Sequence, residues 1–463
     1  MTRTAKSELN SKLIPIAFAL FACAILDMRG VCRADQQAKD PGVRGGAAAA
    51  GGPIGGLTAD ELSYFNAGQT NFQEAEGVGD GLGPRFNLDR CSGCHAQPAV
   101  GGSSPALNPE PTVGVAFGAK NVIPFFVRSN GPIVEARFKR FSNGSADGRV
   151  HSLFVISGRA DTTGNASDCT AVQESFDEEF LNGNVSLRIP TPLFGAGLIE
   201  AIDDATILAN LANNASSKAA LGIAGHPNVN SNTGTITRFG WKAQNPSLLV
   251  FAGEAYNVEI GISNEAFPIE RDSNPSCQYA PVPNDSTMVD GFQGLPATQT
   301  VSDLERFSIF MKFLAPPIPS TNTPGGLASI ARGQQFFNSV GCALCHTPSL
   351  QTRPSNTVPA LSSTSVNLFS DLALHKMGPG LADGVNQGAA AGDEFRTAPL
   401  WGLGQRIFLL HDGRTSDLNQ AIYLHASGRS ASFAPSEANQ VIRNFNALPD
   451  SSQQDLLNFL RSL

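Results

Sequence analysis

The sequence predicts a mainly α protein made of two similar modules, one towards each end, with a β-containing middle region inserted between them. Three observations predict this. A Cys-x-x-Cys-His pentapeptide occurs twice, at 91–95 and 342–346, each preceded by a Gly and a Phe four residues apart. From Asp303 onward apolar residues recur at helical spacing. Between the two motifs, over 111–300, short apolar runs alternate with Gly, Asn, Ser and Pro clusters, the pattern of short strands.

Composition sets the outer bounds. The chain has 463 residues, 41% hydrophobic and 16% charged, with 47 Gly and 30 Pro. Those proportions exclude a disordered acidic chain, a coiled coil and a multi-span membrane protein. The formal net charge of −8 gives no basic surface for nucleic acid, so none is expected as a partner. Phe is heavily used, 29 against 4 Tyr and 2 Trp, which suits apolar packing around a large flat group.

In chain order, residues 1–34 read as a secretory signal peptide. Arg3, Lys6 and Lys12 precede an apolar run from Leu13 to Leu26, and Cys32-Arg33-Ala34 offers a small-x-small cleavage site. The run is shorter than the ~20 residues of a spanning helix. The mature chain is therefore expected to carry no transmembrane anchor and to be periplasmic. A lipoprotein at Cys23 and an uncleaved N-terminal anchor are the weaker alternatives. Residues 35–56 are rich in Gly and Ala and read as a flexible lead.

Residues 57–110 hold the first motif, Cys91-Ser92-Gly93-Cys94-His95, and residues 301–463 the second, Cys342-Ala343-Leu344-Cys345-His346. C-x-x-C-H is the attachment sequence of c-type haem. Two thiols add across the two vinyl groups of one porphyrin, and the next residue turns its imidazole beneath the iron. Two such motifs predict two covalently bound haem c groups, with Cys91, Cys94, Cys342 and Cys345 as thioethers and His95 and His346 as axial ligands. Each module then reads as cytochrome c-like. A zinc ribbon sets its CxxC pairs ~15–20 residues apart, which these are not. A thioredoxin-type pair needs no following His.

Gly68 and Phe72 before the first motif match Gly333 and Phe337 before the second, so a helix should lead into each. Val113–Phe117, Val122–Val127, Val150–Ile156 and Leu248–Ala252 read as strands of the middle region, which also carries the Arg238–Lys242 segment RFGWK. Asp303–Leu314 reads as a helix stopped by Pro316-Pro317, and Leu418–His425 as another. A last helix is expected to start at a capping box of Ser452 and Asp455. Of the eight cysteines, Cys23 and Cys32 leave with the signal and four sit in the motifs. Cys169 and Cys277 remain and would pair as a disulfide in an oxidising compartment. Cleavage ahead of Cys32 would break that parity.

Three further stretches carry a resemblance: Phe395–Gly404 (FRTAPLWGLG) followed by Leu410–Arg414 (LHDGR), Gly81–Asn87 (GLGPRFN), and Leu374–Gly384 (LHKMGPGLADG). Over nearly all of the mature length the chain resembles the bacterial di-haem oxidoreductases labelled thiol oxidoreductases. Over its two haem modules it is similar to the wider superfamily of di-haem cytochrome c peroxidases. In those peroxidases a distal Met follows the His of an H-x-G motif by fourteen residues; here that count from His411 reaches His425. The resemblance thus implies His346/His425 coordination at the second haem. The peroxidases' distal His of the first haem maps to Pro111, so that iron is open or closed by a remote residue, with His151, His375 and Met377 as candidates. Arg396, His411 and Arg414 are candidate contacts of the haem propionates.

The resemblance implies a di-haem oxidoreductase, peroxidase-like, with one electron-transfer haem and one substrate-binding haem. Its partners would be a small oxidant such as peroxide and a redox protein, a small cytochrome or cupredoxin. The acid/base group is unassigned; Glu254, Glu259 and His375 are candidates. Calcium, known between the haems of the peroxidases, is left open, because no matching acidic loop is evident. The rival readings are a pure electron-transfer cytochrome and a di-haem oxygenase.

Overall fold

A helix leads into each C-x-x-C-H motif, and the same device fixes both. The helices that position the site are α1 (Ala59–Gln73), α2 (Leu248–Ala255), α3 (Asp303–Phe313), α4 (Gly326–Val340), α5 (Leu418–Tyr423), α6 (Asn439–Asn446) and α7 (Asp450–Ser462). The computed structural model describes residues 37–117, 123–155, 169–272, 274–277, 282–288 and 295–463. The signal peptide expected at 1–34, with Cys23 and Cys32, lies outside the described residues.

Thr58 starts α1 through a capping box: its hydroxyl accepts from the Glu61 amide, and the Glu61 carboxylate accepts from the Thr58 amide at 2.8 Å. The body of α1 then crosses α3 at Gly68, where a Cβ would overlap the Arg306 carbonyl oxygen. In the second module α4 crosses α7 at Gly333, where a Cβ would overlap the Asp455 carbonyl oxygen. Only glycine allows backbones so close. One turn on, Phe72 and Phe337 are both buried and reach the motif histidines, ring centroids 6.0 Å from His95 and 6.4 Å from His346. Each such Phe contributes about 1.5–3 kcal/mol by burial.

Several expectations need correction. With 35% helix and several small sheets, the fold is mixed helix and strand rather than mainly α. Val113–Phe117 belongs to a helix (Glu110–Ala116), started by the Pro-rich 109–111 turn. Leu248–Ala252 lies in α2, capped by Ser247. Short apolar runs do not distinguish strand from buried helix, and the cap decided here. Residues 123–127 form no strand, and Val150–Ile156 resolves into two short strands, with Ile156 itself outside the described residues. The larger sheet has three antiparallel strands, with β1 (Glu135–Phe138) between β2 (Val150–His151) and β3 (Val185–Arg188). A second antiparallel pair joins β4 (Leu374–Lys376) to β5 (Glu394–Arg396), with His375 opposite Phe395.

α3, placed by sequence in the C-terminal domain, packs on α1 and so completes the first module. α7 begins at Asp450, after Pro449, so Ser452 is no cap; Asp455 instead accepts from Ser329 and Arg332 of α4. Residues 37–56 do not run free as the flexible lead of the sequence reading. The Arg44 and Ile54 amides donate to Gly404 and Phe313, and Asp40 forms a buried ion pair with Arg461 of α7 at 2.6 Å. Cys169 and Cys277 are joined, Cα atoms 4.7 Å apart. Residues 37–463 form one compact unit. No helix among the described residues is long and apolar enough to cross a membrane.

Candidate functional site

Two cavities open on the two motifs. The first, about 110 Å³, is lined by Cys94 and His95; the second, about 220 Å³, by Cys342, Cys345 and His346. Cys91–Cys94 forms a single helical turn, and the His95 amide donates back to the Cys91 carbonyl. The second motif repeats this with His346 and Cys342. Both imidazoles are anchored alike. His95 Nδ1 donates to the Gly102 carbonyl at 2.9 Å and His346 Nδ1 to the Phe369 carbonyl at 3.0 Å. Burial lowers both to about 4, so both rings are neutral. A neutral imidazole tied through Nδ1 presents a bare Nε2, the form that binds a metal.

The four motif cysteines are free thiols, unlike Cys169 and Cys277. Burial pushes Cys342 up to about 12 and the first pair well above the ordinary thiol range. Burial thus disfavours the thiolate at Cys91, Cys94 and Cys342. Each motif carries two thiols and one neutral imidazole within a single turn, a donor set that fits a c-type haem, although only Cys94 of the first pair lines its cavity.

The far walls differ. The second cavity is mostly apolar, with Leu400, Leu403, Leu409, Ile422, Ile442 and Phe445 among its lining. It also holds His425, Met377, His375 and His411. His425 follows α5, is anchored by Nδ1 to the Ala421 carbonyl at 2.7 Å, and is kept below its ordinary value by burial. After burial itself, the field of His425 is the largest influence on His346, which puts the two rings within electrostatic reach. His411 stacks on Phe395, centroids 4.3 Å apart, with the Lys242 ammonium over the same Phe ring at 4.1 Å.

His375 is locked, its Nδ1 donating to Glu437 at 2.8 Å and its Nε2 to Asp371 at 3.1 Å. Asp371 pairs in turn with buried Lys218 at 2.7 Å. Burial disfavours charge on His375, but the fields of Cys345 and Asp371 outweigh it and raise the ring well above its ordinary value. Both ring nitrogens are thus engaged by carboxylates.

The first cavity carries Glu110, Glu135, Glu254, Glu259, Arg137, Arg188, Gln244 and Trp241, and His95 is its one imidazole. Burial raises Glu110 to about 8. Burial and then the neighbouring Glu135 push Glu259 well above the carboxylate range. Burial also opposes ionisation of Glu135, but Arg137, at 2.6 Å, outweighs it and holds that carboxyl low. The pair thus shares one proton, resting on Glu259.

The sequence candidates divide accordingly. His346, His425, Met377, His375, His411 and Arg396 meet in the second cavity, and Glu254 and Glu259 in the first. His151 does not reach the first cavity. Its Nε2 donates to Asp147 at 3.0 Å in a separate polar cleft, and it stacks on Phe138. Arg414 turns to Asp412 and the Gly380 carbonyl and is in the lining of neither cavity. Sequence reasoning missed Glu110, Arg137, Arg188, Arg406 and Trp241. Trp241 lines both cavities, and its RFGWK segment was the one signal that could have found it.

Two paired thiol–imidazole pockets, bridged by an aromatic side chain, define the architecture of a two-centre haem redox protein. The family model described as "di-haem oxidoreductase, putative peroxidase" matches residues 136–463, and the chain belongs to that family. The match begins beyond the first C-x-x-C-H. No curated protein matches the chain. Among solved structures, a chain of Kuenenia stuttgartiensis hydrazine synthase, pressurized with 20 bar of xenon, is similar at 18% identity and a TM-score of 0.23. That match covers 36% of this chain and 58% of the other, little more than half its length.

Proposed function

We propose that the protein is a periplasmic di-haem c-type oxidoreductase that reduces a small peroxide at the first site with electrons delivered through the second. Cys91, Cys94 and His95 would hold one haem; Cys342, Cys345, His346 and His425 would hold the other. When bound, the haems supply one-electron storage and, where an axial position is open, a place for the oxidant.

The observation that carries this reading is the asymmetry of the far walls. Across from His346 the chain offers a second neutral, anchored imidazole. Around His95 the described lining residues offer carboxyls, guanidinium groups, an amide and a tryptophan but no second His and no Met. Glu259, which burial and the neighbouring Glu135 hold well above the ordinary carboxylate range, is the group to donate a proton to a bound peroxide oxygen, with Glu135 and Arg137 beside it. Glu110 is a second protonated carboxyl on the same wall. Trp241, fixed by its indole N–H to the Ile189 carbonyl at 2.8 Å, stands between the two centres and is the route for electrons. The donor would be a small cytochrome or cupredoxin.

Low-temperature electron paramagnetic resonance of the ferric protein tests this. One high-spin and one low-spin haem are expected, with cyanide converting only the high-spin signal. Two low-spin haems, both inert to cyanide and peroxide, would establish a pure electron carrier instead. Oxygen uptake with a polyisoprene-like substrate, without peroxide turnover, would establish the oxygenase.

A further inference from the structure

Two arginines beside the second cavity lack an anion. Arg396 is 8% exposed; its Nε donates to the Gly240 carbonyl at 3.1 Å, while its buried Nη1 has no partner. Arg406, just past the Leu403–Gln405 turn, makes no ion pair among the described residues. Three fully buried arginines are by contrast paired: Arg188 with Asp383, Arg461 with Asp40 and Arg137 with Glu135. Burial, together with a neighbouring guanidinium in each case, pushes both Arg396 and Arg406 down to about 10. Two such cations close together, Arg396 buried and Arg406 half-buried, are unfavourable unless an anion joins them.

Their position says which end of the cavity they serve. Both also line a narrow gap that continues inward past Trp241 and Trp401, and neither Cys342 nor Cys345 reaches that gap. On a c-type porphyrin the propionates stand on the side of the ring opposite the thioether-bearing edge. A ring stitched at Cys342 and Cys345 therefore sends its carboxylates to the arginine end.

We propose that Arg396 and Arg406 bind the propionate carboxylates of the haem attached at Cys342 and Cys345, turning that edge of the ring inward towards Trp241 and the first cavity. The inference rests on the two-haem reading above and assigns to Arg406 a role that its sequence context does not suggest. Guanidinium forks match carboxylate geometry and form the stronger, charge-assisted hydrogen bonds.

The test uses the mature holoprotein and the variants Arg396→Gln, Arg406→Gln, Arg396→Lys and Arg406→Lys, read by resonance Raman spectroscopy and by spectroelectrochemistry of each haem. In the Gln variants the propionate bending bands should shift and the midpoint potential of the second haem should fall, because a cation favouring the reduced iron is gone. The first haem should hold its potential. The Lys variants keep the charge and lose the fork, so their bands should move while the potential largely recovers. If the Gln variants fail to mature, the Lys variants decide through the bands alone. Unmoved bands and potentials in proteins that carry both haems by mass would overturn the assignment and leave the two-haem reading intact. A wild-type protein lacking the second haem would overturn that reading itself.

Discussion

The two C-x-x-C-H sites are alike beneath the expected ring and unlike above it. Below, Gly68 and Gly333 admit a crossing helix, Phe72 and Phe337 back the histidine, and a backbone carbonyl fixes each Nδ1. Above, one site presents an apolar wall with His425 and the other a wall of buried carboxyls and arginines. On the function proposed above, the attachment chemistry is held constant while the opposite face decides whether a centre stores electrons or meets a substrate.

The sharpest way to break the comparison is to remove one stitch at a time. Cys91→Ala/Cys94→Ala and Cys342→Ala/Cys345→Ala should each halve the covalently bound haem, read by mass spectrometry of the intact chain. Only the first should abolish cyanide binding. Next, Glu259→Gln should lower peroxide turnover by about 10²-fold or more, the range of a lost general acid, with the low-spin spectrum unchanged. Equal loss in a Glu437→Gln control would deny the first site its special role.

His425→Ala should convert the second haem from low to high spin and leave the first untouched; an unaltered low-spin signal means another residue closes that iron. Gly68→Ala and Gly333→Ala should each cost about 1–3 kcal/mol of stability through overpacking at a helix crossing, seen as similar drops in melting temperature. A large difference between them would mean that the modules are not built alike.

The last test varies pH. Glu76 and Glu110 both titrate near 8 in the fold, against an ordinary 4.5. The folded state therefore holds protons that the unfolded chain releases, and stability should fall as pH rises from about 4.5 through 8. Melting curves across that interval check it, and Glu110→Gln should flatten the slope.

What could be read from the sequence was whatever is local. The motifs, the Gly–Phe spacing ahead of them and the helix at Leu418 are each contained in a few consecutive residues, and His425 followed from a fixed count. The wall of the first cavity was not legible, because Glu110, Glu135, Arg188, Trp241 and Glu259 come from distant segments that only the folded chain brings together. Val113–Phe117 and Leu248–Ala252 misled for another reason. A five-residue apolar run suits either period, and a Pro turn or a Ser247 cap settles it. Arg414 lay beside a recognisable motif yet finds Asp412 two residues away, whereas Arg406, in an unremarkable stretch, makes no ion pair among the described residues.

The ion pair between Asp40 and Arg461 joins the head of the described chain to its final turn. The two residues stand 421 positions apart, so this one contact ties together two segments that are remote along the chain.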